Sequence, residues 1–132
     1  MATIQLVIVT PESTTFDESV DSVTLPLVDG EAGVLPGHAP MIGRLGPGEL
    51  RAQAGGKTQS FYVDGGFVQI ENNIVTVLPG RSVPAGEIDV AAAKQDLEAA
   101  LAQSGVNEEL ASIKTRAIAQ ARAQIRVAEK RA

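Results

Sequence analysis

A chain of 132 residues, of which 44% are hydrophobic and 20% are charged, is long enough to fold around a core of its own. Its net charge of −5 and its low aromatic content of 3% argue against a nucleic-acid surface, which needs clustered Lys and Arg and aromatic stacking platforms. The absence of cysteine excludes disulfides and thiolate metal ligands and fits a reducing compartment.

The two ends of the chain differ in charge. Residues 1–10 lack a basic region and enter strand-like alternation at once, so we expect neither a signal nor a transit peptide. No apolar run approaches the roughly 20 residues that span a bilayer. If the protein works with a membrane complex, we therefore expect it to attach through partner subunits. Residues 110–132 carry six bases against one acid, Glu129, and we expect this cationic segment to face a partner.

Short β-branched runs separated by turn residues dominate the first part of the chain, which is typical of a sandwich or barrel. The predicted strands are Thr3–Val9, Ser22–Val28, Glu49–Ala54, Lys57–Val63, Phe67–Glu71 and Ile74–Leu78, with weaker candidates at Thr14–Asp17 and Ala39–Gly43. Gly55-Gly56 and Asn72-Asn73 predict tight hairpin turns between neighbouring strands. A phosphate-binding loop at Gly55–Thr58 and a dinucleotide fingerprint at Gly46–Gly48 both fail, because Arg51 stands where each pattern needs glycine.

The segment from Gly30 to Gly48 holds six glycines and three prolines, and we expect a long loop there. Long loops in compact domains are usually functional, which favours a binding role, although a plain crossover between strands stays open. His38, the single histidine, has no second His and no Cys to share a metal or a catalytic group with. We therefore expect no metal, no cofactor and no active site.

After Pro84-Ala85-Gly86 the apolar period changes from two to about 3.6, which indicates an α-helical hairpin. Asp89 is the expected N-cap of the first helix and Asn107 of the second, and Gly105 is expected to end the first helix in a left-handed conformation. The predicted apolar faces are Val90, Ala93, Leu97, Ala100 and Leu101 in the first helix, and Leu110, Ile113, Ala117, Ala121, Ile125 and Ala128 in the second. We expect a sandwich domain at 1–84, a linker at 85–88 and a helical hairpin at 89–132.

The hairpin is rich in alanine and poor in large apolar side chains. Residues 91–132 contain thirteen alanines but eight Val, Leu or Ile residues, so its packed seam is thin. Such helices suit a change of partners, while a fixed hairpin is the open alternative.

The sequence GEAGVLPGHAP at residues 30–40 resembles the signature of the ATP synthase epsilon subunit, called delta in mitochondria. Further matches follow in the family's order: Thr10-Pro11, Pro47-Gly48-x-Leu50, Phe61–Phe67, Asn72–Leu78 and Ile88-Asp89 before an Ala-rich tail. The resemblance therefore covers the whole chain. It implies a ten-stranded β-sandwich followed by a two-helix C-terminal domain, an α+β fold.

The resemblance also implies the function. Family members are non-catalytic parts of the central stalk, which couples proton-driven rotation of the membrane c-ring to ATP synthesis. The sandwich would bind gamma and the ring, at the cytoplasmic face of a bacterial inner membrane or the stromal face of a thylakoid. The ring-facing loop would carry Glu31, His38, Pro40 and Met41.

The helical part would restrain ATP hydrolysis by contacting the alpha and beta subunits. Arg116, Arg122 and Arg126 match the basic positions that face an acidic beta segment in relatives, although a merely solvated basic face stays open. Some relatives bind ATP through a motif of Ile or Leu, Asp, two residues, Arg and Ala. Here Ile88 and Asp89 match but Ala92 replaces the arginine, so we expect weak or no ATP binding.

Overall fold

The computed structural model describes residues 3–131, with side chains to residue 130, as a ten-stranded sandwich followed by two helices. The strands are β1 (Ile4–Val9), β2 (Thr14–Val20), β3 (Ser22–Leu27), β4 (Gly30–Val34), β5 (Met41–Arg44), β6 (Gly48–Ala54), β7 (Lys57–Asp64), β8 (Phe67–Glu71), β9 (Ile74–Leu78) and β10 (Arg81–Pro84). A 3₁₀ turn at Ala85–Glu87 leads to α1 (Val90–Ala102) and α2 (Glu108–Arg131). The predicted fold class is confirmed.

The strands form two five-stranded sheets whose inner faces enclose the core. Sheet A has the order β2-β1-β9-β8-β5, and sheet B has the order β10-β7-β6-β3-β4. Alternate residues of each strand point inward, as in Ile4, Leu6 and Ile8 of β1, which are at most 1% exposed. Because aromatics are scarce, Val, Ile and Leu fill most of this space; Phe16 and Phe61 meet edge to face, with ring centroids 5.4 Å apart.

Both predicted hairpin turns are confirmed. Gly55 and Gly56 have φ of +58° and +78°, and Asn72 and Asn73 have φ of +52° and +60°. Two successive positive φ angles match the right-handed twist of the flanking strands. The Gly55–Thr58 segment thus joins β6 to β7, with no helix after it.

The expected long loop from Gly30 to Gly48 is wrong in part. Gly30, with φ of +128°, follows a tight turn that brings β4 back along β3, where Glu31 pairs with Pro26 and Val34 with Val23. Strand pairing takes up much of this segment, because β4, β5 and the start of β6 lie within it. The strand β10 was not predicted, because its sequence has no apolar alternation. It forms by pairing with β7, where Arg81 lies opposite Asp64.

The helical hairpin agrees with prediction at both N-caps and departs from it at the C-terminal end of α1. Asp89 Oδ1 accepts from the Ala92 amide at 3.0 Å, and Asn107 Oδ1 accepts from the Leu110 amide at 2.8 Å. Gly105 does not take a positive φ, because α1 ends earlier, at Ala102, and an extended Gln103 carries the chain away.

The predicted apolar face of α2 is wrong in its first half. Leu110 and Ile113 are 39% and 50% exposed, and Leu101 at the end of α1 is 48% exposed. Ala117 is partly covered, as predicted, but the other partly covered residues of that half lie outside the predicted face: Ala111, Lys114 and Ile118. The covered stripe includes the small residues Ala111 and Ala117 and leaves the larger Leu110 and Ile113 exposed.

Candidate functional surfaces

The four residues predicted to face the ring do not share one loop. Glu31 belongs to β4 at the edge of sheet B, whereas Met41 begins β5 at the edge of sheet A. His38 and Pro40 alone lie in the connection between these strands. The expectation of a single loop is corrected because strand pairing captures both of its ends.

The connection at 35–40 is held in place by its neighbours. The Gly37 amide, at a φ of +86°, donates to Asn73 Oδ1 at 2.7 Å, and the His38 amide donates to the Leu35 carbonyl at 3.2 Å. His38 Nδ1 lies 2.7 Å from the Ala39 carbonyl oxygen, which orients the imidazole. The segment therefore presents a defined shape, with Leu35 65% exposed.

The outer face of sheet B is polar and supports the end of α2. Glu49 and Arg51 of β6 point to this face, as do Tyr62 and Asp64 of β7, and Glu49 lies directly opposite Tyr62. Glu49 is 8% exposed and Asp64 is 8% exposed, which is low for carboxylates. Such groups are buried only with partners, and each has at least one here.

Four charged side chains are joined in a row on this face. Arg51 Nη1 lies 3.1 Å from Glu31 Oε2 and 2.9 Å from Glu49 Oε1, and Lys130 Nζ of α2 lies 3.4 Å from the same Glu49 oxygen. Hydrogen bonding to Glu49 and to Glu31 raises the pKa of Arg51 against the lowering effect of burial. We call Glu31, Arg51, Glu49 and Lys130 the ion-pair row.

A second contact centres on Tyr62, which is fully buried. Its hydroxyl donates to Asp64 Oδ2 at 2.5 Å. Burial and the Asp64 carboxylate raise the pKa of Tyr62 well above its ordinary value, while hydrogen bonding with Gln124 of α2 lowers it. Apolar contact here is small: Ala85, Ala123, Val127 and part of Ile88 surround the Tyr62 ring.

A cleft of about 270 Å³ lies between the end of α2 and sheet B. Pro26, which lacks an amide hydrogen, borders the cleft and lies two residues past the last pair of the β3–β6 ladder, Thr24 with Arg51. Gly48 approaches Pro26 so closely there that an added Cβ would lie 2.8 Å from the proline Cβ. Arg126 and the ion-pair row line this cleft.

The three arginines predicted to meet the beta subunit are all exposed on α2. Arg122 and Arg126 are four residues apart and share a face, whereas Arg116 lies ten residues before Arg126, or about 15 Å along the axis. Arg116 borders an open groove with Glu108 and Ser112, away from the cleft that Arg126 lines. The structure therefore brings two of the three together.

Ile88 and Asp89, the two residues that match the ATP-binding motif of relatives, both have structural roles. Asp89 caps α1, Ile88 packs against the Tyr62 cluster, and Ala92 is exposed. Among residues 3–131, no group of three or more His, Asp or Glu side chains is placed to hold a metal ion.

The outer face of sheet A is largely uncovered and carries large apolar side chains. Ile42 is 75% exposed, Phe67 53%, Ile74 45% and Leu78 45%. Phe67 and Leu78 lie directly opposite each other on β8 and β9. Gln69 opposite Thr76 separates this pair from Ile74, so the Phe67–Leu78 end of the face is the candidate interaction surface.

Sequence reasoning missed Tyr62, Asp64, Glu49 and Gln124. Gln124 lies outside the apolar face predicted for α2. One signal was available: Phe61, Tyr62 and Val63 are apolar or aromatic residues in succession, without alternation. Such a run suits a strand that is covered on both faces.

Comparison with known proteins gives one consistent result. The family described as ATP synthase, Delta/Epsilon chain, beta-sandwich domain, matches residues 3–85. The chain is 46% identical over 123 residues to a protein named ATP synthase epsilon chain from Rhodopirellula baltica, covering 93% of this chain and 96% of the relative. A protein of the same name from Dehalococcoides mccartyi is 40% identical over 134 residues, covering 99% and 96%.

Solved structures agree. A chain in the mitochondrial ATP synthase of Euglena gracilis, in an assembly described as OSCP/F1/c-ring, superposes with a TM-score of 0.82 at 28% identity, covering 92% of this chain and 79% of that chain. A chain from the central stalk and c-ring of the Tetrahymena thermophila enzyme superposes with a TM-score of 0.68 at 13% identity, covering 97% and 95%, and shows the shared fold. Along the described part of this chain, neither helix has the length and apolarity to cross a bilayer.

Proposed function

We propose a rotor function for this chain, because it belongs to the ATP synthase epsilon-chain family. It is a non-catalytic subunit of the F1 sector and part of the central stalk that couples c-ring rotation to ATP synthesis. The observation that carries this function is the extent of the match, which includes the sandwich and the hairpin of relatives over 96% of their length. Purification of this chain from cell extract should bring gamma, alpha, beta and c subunits with it, and their consistent absence would contradict the function.

The outer face of sheet A is our candidate for the gamma contact. On sheet B, α2 packs across β6 and β7, whereas sheet A presents Ile42, Phe67 and Leu78 to solvent. A permanent partner suits such a surface, since apolar side chains are clustered at interface cores. Residues 1–84, expressed without the hairpin, should therefore fold and still bind purified gamma; a soluble truncated chain that fails to bind would place the contact elsewhere.

The ring contact is assigned to Glu31 together with His38, Pro40 and Met41. Glu31 has a side chain that is 59% exposed although it pairs with Arg51, so it is available to a basic ring loop. Glu31→Lys should weaken attachment to the ring, and a cross-linker placed at position 31 should reach the c subunit. Cross-links to alpha or beta alone would contradict this assignment.

The hairpin is assigned to restraint of ATP hydrolysis. The exposed pair Arg122 and Arg126 costs an isolated helix about 0.2 to 0.5 kcal/mol, and an acidic partner would offset this cost. Alpha and beta are the partners that this role requires. The subunit would lie at the membrane surface through gamma and the ring, on the cytoplasmic face in a bacterium or the stromal face in a thylakoid.

A further inference from the structure

The ion-pair row connects the strand that carries Glu31 with the last turn of α2, and it does so through shared atoms. One nitrogen, Arg51 Nη1, serves both Glu31 and Glu49, and one oxygen, Glu49 Oε1, serves both Arg51 and Lys130. We propose that the ion-pair row couples the Glu31 site to the docking of the hairpin: when a basic group of the c-ring takes Glu31, Lys130 is held less firmly and the hairpin releases more readily. This inference rests on the proposed contact between Glu31 and the ring.

The coupling follows from competition for a buried carboxylate. The Glu49 side chain is 7% exposed, so little water reaches it and the charge must be balanced by nearby cations. Arg51 divides its donors between Glu49 and Glu31 while Glu31 is present. Once Glu31 turns to another cation, Arg51 neutralises Glu49 more completely, and the attraction of Glu49 for Lys130 falls.

Lys130 matters to docking because the apolar contact that the described side chains of α2 make with the sandwich is small. Away from the ion-pair row, α2 meets the sandwich chiefly through Ala123, Val127 and Gln124 around Tyr62 and the 3₁₀ turn. Alanine and valine bury little area, so their hydrophobic contribution is limited. An ion pair with a poorly solvated acid is then a sizeable part of what holds the end of the helix.

Docking can be measured on the isolated full chain, which has no cysteine of its own. Ala123→Cys introduces a single thiol at a position that is 0% exposed, and a thiol-reactive dye would label it when the hairpin is released. Ala119→Cys, on an exposed position of the same helix, gives the labelling rate of an unprotected thiol. The ratio of the two rates reports the equilibrium between docked and released hairpin.

The test is a double-mutant cycle in this background. Glu31→Gln should raise the labelling of Cys at position 123 about two- to fivefold, the range expected for an exposed ion pair. Glu49→Gln should raise it at least as much, and Glu31→Gln should then have no further effect. Tyr62→Phe breaks the other contact, so its effect should multiply with that of Glu31→Gln.

Independent, multiplicative effects of Glu31→Gln and Glu49→Gln would overturn the coupling, as would unchanged labelling in Glu31→Gln. Lys130→Met provides a second route if Glu49→Gln lowers the melting temperature of the sandwich, because Lys130 is on the surface of α2. Cross-linking from position 31 in the assembled complex tests the ring contact separately. If Glu31 and Glu49 are coupled in the isolated chain but position 31 gives no cross-link to the c subunit, the coupling through the ion-pair row is supported. The proposal that the c-ring engages Glu31 is then contradicted.

Discussion

The two sheets of the sandwich present opposite outer faces, and the chain covers the less apolar one. Sheet B places Glu49, Arg51, Tyr62 and Asp64 beneath α2, whereas sheet A leaves Ile42, Phe67, Ile74 and Leu78 exposed. In an isolated chain, folding is driven mainly by burial of apolar surface, so the more apolar face would be the one expected beneath α2. We therefore propose that the exposed apolar side chains of sheet A contact another protein and that the contact between α2 and sheet B is the one that opens.

The two kinds of contact differ in how they respond to separation. Buried polar groups on sheet B regain water when α2 leaves, which offsets part of the lost contact. The apolar groups of sheet A gain nothing from exposure, so a partner seated there stays. The comparison therefore predicts a permanent partner on sheet A and a reversible one on sheet B.

The largest effect is expected from charges on sheet A. Phe67→Asp with Leu78→Asp places two carboxylates at a directly opposed pair and should weaken gamma binding about a thousandfold, since two central interface contacts are each worth about 2 kcal/mol. Binding of purified gamma by calorimetry measures this. Gln53→Asp with Thr58→Asp is the matched control, because these exposed residues are also directly opposite each other but on sheet B. Equal losses in both variants would contradict the assignment of sheet A.

The next effect concerns the Tyr62 contact on sheet B. Tyr62→Phe keeps the ring but leaves Asp64 and Gln124 buried without the hydroxyl, which should favour release of the hairpin about tenfold, or roughly 1.4 kcal/mol. The labelling ratio of Cys at positions 123 and 119 measures this. An unchanged ratio would mean that the apolar residues alone hold α2.

Alkaline pH should act on the same contact. The pKa of Tyr62 is raised in the folded protein, so its stabilising effect is complete below the ordinary tyrosine pKa of about 10 and is lost as pH rises above it. Release of the hairpin should therefore increase above about pH 10 in the unmodified contact but much less in Tyr62→Phe. A parallel response of both proteins would exclude Tyr62 as its source.

The sequence predicted the sandwich and its turns but not the polar contact on the outer face of sheet B. Alternation, glycine pairs and the motif at residues 30–40 predicted the sandwich, its turns and the family, because each depends on local backbone preferences. Glu49 and Gln124 are far apart in sequence, and only the docking of α2 across β6 and β7 makes them neighbours. The site on sheet B was missed for this reason, and the exposed Leu110 and Ile113 were misplaced because helix rotation depends on alanine contacts that the pattern does not weigh.

A smaller effect is expected on ATP hydrolysis. Arg122→Glu with Arg126→Glu should raise hydrolysis by the assembled complex several-fold and leave synthesis nearly intact, because exposed charge pairs are each worth about 0 to 1 kcal/mol. Arg126 also lines the cleft on sheet B, so the labelling ratio should be measured in the same variant to separate release from inhibition. Lys94→Glu, an exposed reversal on α1, is the control. Unchanged hydrolysis at low salt, where attraction is least screened, would mean that the arginines form only a solvated face.

The smallest effect, close to zero, is expected from ATP on the isolated chain. Ala92 stands where related motifs have arginine, and the Asp89 carboxylate is already engaged with the Ala92 amide at 3.0 Å. A ligand stabilises the docked chain by an amount set by its concentration relative to the dissociation constant. ATP at 1 mM would add about 2.7 kcal/mol if that constant were near 10 μM, and less than about 0.1 kcal/mol if it were 10 mM or weaker. We expect the second result, as an unchanged labelling ratio at position 123 and no heat in calorimetry.

Ala92→Arg places a guanidinium on an exposed helix position, where it supplies the fork of donors that a phosphate prefers, and should strengthen whatever binding exists. Micromolar affinity in the unaltered chain would show that ATP can hold the hairpin on sheet B without this arginine.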